Sequence, residues 1–355
     1  VPAAGAVKDE LMGKVRVLVV DDSAFVRKAL LRIFDAAPEI EVVGTARSGK
    51  EAIEKVMSLA PDVITLDVIM PGMDGLDTLK IIMESCPTPV LMLSQFTKQG
   101  ADLTLRALEF GAMDFVDKSS TGMMDFYDLA REITAKVKTI AGSKLVRMTA
   151  RAGTLEASGS NGIVEAVAVG ASTGGPIALQ MLLPKFPADI GFAVLVVQHM
   201  PHGFTEPLAR RLDTLCAVRV KEAEEGDPIT PGTAFIAPAG LHMTVRKVTR
   251  HDEQARHRIR LGLEPITAIH RPSADVLFSS VAKTYGSRAI GVILTGMGAD
   301  GAAGLKEMKE QGGVTLAQDE ATSAIFGMPR VAIENGAADM VLPITSMAEE
   351  ILKRA

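Results

Sequence analysis

VRVLVVDDSAFVRKALLRIF (residues 15–34) decides the fold of the first half of the chain. Its opening, VRVLVV (15–20), is a short apolar run, as expected of a strand buried on both faces. Asp21 and Asp22 follow at the carboxyl end of that strand. Ser23 then stands at a helix N-cap, ahead of Val26, Leu30, Ile33 and Phe34 at helical spacing. The same unit recurs. EVVGTA (41–46), DVITLD (62–67), PVLMLS (89–94) and DFVD (114–117) read as further strands. Ser48 and Glu51 form a capping box for a helix carrying Ala52, Ile53, Val56 and Met57. Other helices fall near 75–85, 100–109 and 124–140. Strands alternating with helices in this way predict a doubly wound α/β domain on a five-stranded parallel sheet, spanning 14–137.

The stretch 138–162 changes character, mixing Gly, Ser, Thr and Ala with basic residues, and reads as a helix tail followed by a linker. A second α/β pattern fills 163–355. Strands are expected at 165–169, 192–198, 218–222, 233–237, 289–294, 313–317 and 340–342, and helices near 175–184, 203–213, 273–284 and 301–311. Residues 242–263 read as a β-hairpin with a charged turn, carrying His242, His251 and His257 as solvated side chains. The second domain is therefore a Rossmann-like, mostly parallel sheet with a hairpin.

Composition narrows the function classes. A chain of 355 residues exceeds one average domain, and 47% apolar with 23% charged residues can bury real cores. A formal net charge of −5 gives no overall footprint for nucleic acid. Two cysteines, Cys86 and Cys216, exclude a disulfide framework and fit a reducing, cytoplasmic compartment. The histidines are scattered and have no zinc spacing. No apolar run reaches about 18 residues, so no membrane insertion is expected. Residues 1–13 lack a signal-peptide core and read as a tag remnant before a start at Met12, or as a disordered arm.

Ligands of a doubly wound sheet bind at the carboxyl ends of its strands. There the first domain gathers Asp21, Asp22 and Asp67, with Ser94 after the fourth strand and Lys118 after the fifth. Crowded carboxylates repel unless a cation joins them, and hard oxygen ligands suit Mg²⁺. The set suits a phosphoryl group, with Asp67 as nucleophile, Lys118 and Mg²⁺ as charge neutralisers and Ser94 as hydrogen-bond partner. The motifs VVDD (19–22), TLDVIMPGMDG (65–75), Ser94 and DFVDKS (114–119) resemble the receiver domain of two-component response regulators, a flavodoxin-like fold. The resemblance implies that Asp67 accepts phosphate from a histidine kinase. It also implies metal ligation by Asp21, Asp22, Asp67 and the Ile69 carbonyl, and a switch made by Ser94, Phe115 and Lys118. Ser119 stands where such receivers often carry proline.

In the second domain the first strand runs into GASTGGP (170–176), a Gly-x-Ser-x-Gly pattern that exposes a serine at a sharp strand-to-helix turn. FAVLVVQ delivers His199 at its carboxyl end, and AIGVIL runs into TGMGADG (295–301), which delivers Asp300. Serine, histidine and aspartate at three strand ends favour a triad in which Ser172 attacks, His199 takes its proton and Asp300 orients the imidazole. His270 is the rival base and His202 a weaker one. Gly296, Gly298 and Gly301, followed by Asp319, also form a dinucleotide-binding pattern. Against it, Asp300 inside that loop would repel pyrophosphate.

GASTGGP, VVQHMPHGFT (196–205), HRPSADVLFSSVA (270–282) and GVILTGMGADGAAG (291–304) resemble the catalytic domain of the chemotaxis protein-glutamate methylesterases. That family joins a receiver to a methylesterase, the order found here. The resemblance implies the triad Ser172, His199 and Asp300, with oxyanion donors at the backbone of Thr173 and Met297. It further implies hydrolysis of glutamyl methyl esters on chemoreceptors, deamidation of glutamines in some members, and a receiver that blocks Ser172 until phosphorylated. The alternatives are a response regulator with a DNA-binding or dinucleotide-binding output, and a non-catalytic receptor adaptor.

Overall fold

The computed structural model describes residues 13–95, 97–118, 123–143, 154, 164–248 and 256–355. The chain divides near residue 145 into two units. The arm over 1–12, Ser119, most of the expected linker, and His251 with the hairpin turn lie outside the described residues. Among the described residues no helix is long and apolar enough to cross a membrane.

The first unit runs β1 (Val15–Val20), α1 (Ala24–Asp35), β2 (Ile40–Ala46), α2 (Gly49–Leu59), β3 (Val63–Asp67), α3 (Gly75–Ser85), β4 (Val90–Ser94), α4 (Lys98–Glu109), β5 (Asp114–Asp117) and α5 (Met123–Ala141). The strands form one parallel sheet in the order β2-β1-β3-β4-β5. Every residue of β3 and β4 is buried, which is why these strands read as unbroken apolar runs rather than alternating ones. Helix starts follow local chemistry. Ser23 Oγ accepts from Val26 N, and Ser48 Oγ accepts from Glu51 N. Glu51 differs from the expected capping box: its carboxylate accepts from Arg47 N at 2.9 Å, one residue before the cap. Strand order reverses between β1 and β3, which opens a crevice where Asp21, Asp22 and Asp67 emerge.

The second unit opens with β6 (Ala166–Ala171), α6 (Gly175–Leu182), β7 (Ala193–Gln198), α7 (Thr205–Asp213), β8 (Arg219–Glu222) and β9 (Thr233–Ile236). The hairpin β10 (His242–Lys247) and β11 (His257–Gly262) follows. Then come α8 (Ala274–Tyr285), β12 (Ala289–Ile293), α9 (Ala302–Glu310), β13 (Val314–Gln318), α10 (Met328–Glu334), β14 (Met340–Leu342) and α11 (Ile344–Arg354). Seven strands make a fully parallel sheet, β14-β13-β12-β6-β7-β9-β8. The chain enters at its centre, winds out to β8, and returns on the other side of β6 through β12. The switch point therefore falls between β6 and β12. Leu277, Phe278 and Val281 of α8 and Leu305 and Met308 of α9 pack with Ala166, Ala168, Leu195 and Val197 in one core on the sheet face.

Two expectations need correction. His242 and His257 are buried, not solvated. The hairpin lays one face on α8, where Val245 N donates to Ser280 Oγ at 2.7 Å and the His257 ring meets Tyr285 edge-on at 4.6 Å. Burial holds both imidazoles below the ordinary histidine pKa. The sequence reading also places no helix over α10 or α11. The helical spacing of Ile344, Met347, Ala348, Ile351 and Leu352, all buried, carried that signal for α11.

Gly75 marks the closest backbone approach at the acidic crevice, since a Cβ there would lie 2.0 Å from the Asp67 carbonyl oxygen. Gly75→Ala is expected to destabilise the first unit by about 1–3 kcal/mol. Calorimetric unfolding of the full chain reads this as a lowered first transition; an unmoved transition would contradict it.

Candidate functional site

At the strand ends of the first unit, Asp21 and Asp67 are buried while Asp22 is exposed. Their carboxylates offer oxygens that all lie within 4.8 Å of one another. Lys118 Nζ sits 2.7 Å from both Asp21 Oδ2 and Asp67 Oδ2. Backbone fixes the acids further: Ser23 N donates to Asp21 Oδ1 at 2.9 Å, and Ile69 N to Asp67 Oδ1 at 3.3 Å. Burial raises the Asp67 pKa, and the like charge of Asp21 adds to this, so that the pairing with Lys118 only partly offsets them. Three acids against one lysine leave negative charge in a half-closed crevice, the donor set a hard divalent cation fits. Ser94 Oγ lies 2.9 Å from Thr104 Oγ1. Phe115 is buried, its carbonyl accepting from Lys136 Nζ at 2.7 Å.

In the second unit Ser172 follows β6, His199 follows β7, and Asp300 lies in the loop after β12, so three adjacent strands present them. Ladder hydrogen bonds continue past the strand ends: His199 N donates to Ala171 O at 3.0 Å, and Ser172 N to Thr295 O at 3.1 Å. Gln198, fully buried, ties the two strand ends together. Its Nε2 donates to Ser172 O at 2.8 Å and to His199 O at 3.0 Å. Small residues make this approach feasible. A Cβ on Gly175 would meet Gln198 Oε1 at 2.0 Å, and one on Gly296 would lie 2.8 Å from Ser172 Cβ.

His199 Nε2 lies 2.8 Å from Asp300 Oδ2. Asp300 in turn is held at the start of α8. It accepts from Ser273 Oγ at 2.7 Å, Ala274 N at 2.7 Å and Asp275 N at 3.2 Å. Burial alone would raise its pKa, but the hydrogen bonds and charge of His199, with Ser273 and Ala274 N–H, outweigh it and hold the carboxyl far below the usual range. A permanently ionised acceptor at Nε2 requires the proton there. Nδ1, buried and without a hydrogen-bond partner among the described residues, is left with a free lone pair.

The remaining candidates separate. Thr173 is buried, and its carbonyl accepts from Thr295 Oγ1 at 3.0 Å; Met297 is 37% exposed. His202 Nδ1 lies 3.4 Å from Ala239 O. The His270 ring stacks on that of His199. The dinucleotide pattern is not favoured. Its loop is filled by protein, with Asp300 turned onto α8 and the Gly327 N–H bonded to Gly296 O at 3.1 Å, and Asp319 accepts from Thr322 N at 3.0 Å in its own turn. Sequence reasoning missed two supporting residues. Ser273 carried a signal as the N-cap of α8; Gln198 looked like any strand residue.

Comparison with known proteins identifies the family of each unit. Residues 167–351 match the CheB methylesterase family and residues 17–124 the response regulator receiver domain. The chain is 46% identical over 352 residues to a protein-glutamate methylesterase/protein-glutamine glutaminase of Pyrococcus horikoshii, covering 97% of this chain and 94% of that protein. A protein of the same name from Archaeoglobus fulgidus is 47% identical, covering 96% of this chain and 97% of the relative. Among solved structures, the Thermotoga maritima CheB methylesterase catalytic domain superposes with a TM-score of 0.52 at 38% identity, covering 54% of this chain and 99% of that one.

Because folding lowers the Asp300 pKa, its ionised form stabilises the fold above the unfolded value near 3.8, and this contribution is lost as pH falls through the folded value. Asp300→Asn is expected to destabilise the second unit by about 1–3 kcal/mol at pH 7. The deficit should shrink as pH falls from the unfolded value near 3.8 toward the lower folded one. Denaturant titrations at several pH values check this; a deficit constant with pH would contradict it.

Proposed function

The chain belongs to the CheB methylesterase family, and from that premise we propose that it is a phosphorylation-activated serine hydrolase acting on glutamyl methyl esters of chemoreceptors. Ser172 Oγ attacks the ester carbonyl carbon while Nδ1 of His199 takes its proton. Asp300 holds the Nε2–H and balances the imidazolium charge. Backbone N–H groups at Thr173 and Met297 receive the oxyanion. As the tetrahedral intermediate collapses, the methoxy oxygen takes the proton from His199 and leaves as methanol. Water then attacks the acyl-enzyme with His199 again as base, which releases glutamate and restores the serine hydroxyl. With a glutamine side chain the same atoms serve and the leaving group is ammonia, in keeping with the second half of the relatives' name. The observation that carries this reading is the unpartnered Nδ1 of an imidazole pinned through Nε2, at the strand end beside Ser172.

The first unit supplies control. Asp67 accepts a phosphoryl group from a histidine kinase. Asp21, Asp22 and Asp67, with the Ile69 carbonyl, would hold the Mg²⁺ that a receiver domain implies, which neutralises charge on the entering phosphoryl oxygens. Lys118 and Ser94 turn to the new phosphate, which adds about −1.5 to −2 charge if it behaves as a hydroxyl phosphate does. Phe115 repacks, and the population shifts toward the active form.

Methanol release from methylated receptor membranes tests the hydrolase. Ser172→Ala should lower it by about 10³-fold or more; equal release from both proteins would overturn the reading. A small-molecule phosphodonor with Mg²⁺ should accelerate the wild-type protein and leave Asp67→Asn unmoved.

The raised Asp67 pKa means that its ionised form weakens the fold at neutral pH, since the contribution of such a group is full below the unfolded value and lost as pH rises through the folded one. With a chelator present, Asp67→Asn should therefore unfold later than wild type in the first calorimetric transition, by on the order of 1 kcal/mol. Added Mg²⁺ should stabilise wild type more than the variant. Equal shifts in both would contradict the assigned cation site.

A further inference from the structure

One side chain at the site has no part in the steps above. His270 lies in the loop before α8, and its ring covers that of His199, with centroids 4.3 Å apart and planes at 20°. The nitrogen lone pairs and N–H bonds of an imidazole point outward in the ring plane. Stacked rings therefore meet through their π-faces, and His270 cannot pass a proton to Nδ1 or Nε2 of His199 in this arrangement. What it can do is occupy space that water or a rotated imidazole would otherwise take. The constraint matters because, among the described residues, the His199 ring is anchored by one hydrogen bond, from Nε2 to Asp300. A ring held at one nitrogen can still tilt about that bond, and a tilt of the order of 10–20° is enough to spoil a productive geometry. Away from His199 the His270 side chain is exposed, so it forms a lid over one face of the base.

The charge balance agrees. Burial against its neighbours holds the His270 pKa below the ordinary histidine value, the adjacent His199 lowers it further, and Asp300 opposes both. The lowered pKa favours the neutral form of the His270 ring. A neutral aromatic face beside the imidazolium that forms on His199 is attractive, whereas a second cation there would repel it.

We infer that His270 is a positioning residue, whose stacked ring holds the His199 imidazole in the plane that joins Asp300 to Ser172. The inference rests on the hydrolase reading and deepens it. It requires of His270 an aromatic face but neither ring nitrogen.

The test compares full-length wild type, His270→Ala, His270→Phe and Ser172→Ala, with a small peptide γ-glutamyl methyl ester as substrate and methanol release as readout. His270→Ala is expected to lose about tenfold or more in kcat with KM within about twofold. His270→Phe should recover kcat to within about threefold of wild type and keep both limbs of the pH–rate profile. Wild-type kcat in His270→Ala would overturn the inference. So would a His270→Phe variant as impaired as His270→Ala, or one lacking a limb of the profile, because the ring nitrogens would then act directly. Ser172→Ala keeps the readings apart: turnover surviving in that variant removes the hydrolase itself, whereas Ser172-dependent turnover indifferent to His270 removes only the positioning role.

Discussion

The hydrogen bond from His199 to Asp300 sets everything else at this site. A carboxylate so far from water would ordinarily protonate or be costly. It stays ionised because the start of α8 offers Ser273 Oγ and two backbone N–H groups while His199 supplies the fourth donor. With that acceptor fixed, the imidazole proton is assigned to Nε2, which leaves Nδ1 with its lone pair. The helix that packs the hydrophobic core thus also decides which nitrogen carries the proton. This links Leu277, Phe278 and Val281, which bury α8, to the carboxylate held at its N-terminal end.

The two units use one architectural rule for opposite electrostatic ends. In both, the reactive groups stand at the carboxyl ends of parallel strands beside the point where strand order reverses. In the first unit the crevice collects like charges, and burial with the Asp21 charge raises the Asp67 pKa. In the second, the donors around Asp300 outweigh its burial and hold it ionised. An unsatisfied carboxylate suits a switch; a satisfied one suits a permanent part of a catalytic apparatus.

Much of this was legible in the sequence because strands buried on both faces read as apolar runs, and the residues just past the end of such a run land on the functional edge. Asp21, Asp67, Ser172 and His199 were placed on that edge in this way, and Asp300 by the loop that follows its strand. Gln198 was not, since its role depends on two carbonyls brought together from neighbouring strands, which no local pattern encodes. His242 and His257 misled for a related reason. His257 stands among charged residues and both belong to a hairpin with a charged turn, whereas the hairpin docked on α8 buries them. The glycines at 296, 298 and 301 copied a dinucleotide pattern. Gly296 here serves close packing against Ser172 and Gly301 against α8, while Gly298 faces open space and takes a positive φ of 88°.

The most direct measurement is the tautomer of His199 in the full-length protein, read from the imidazole ¹⁵N shifts at neutral pH and assigned with a His199→Gln variant. The expected spectrum has a protonated Nε2 and an unprotonated Nδ1. A proton on Nδ1 with Nε2 bare would contradict the pairing to Asp300 and, with it, the identification of the base that activates Ser172.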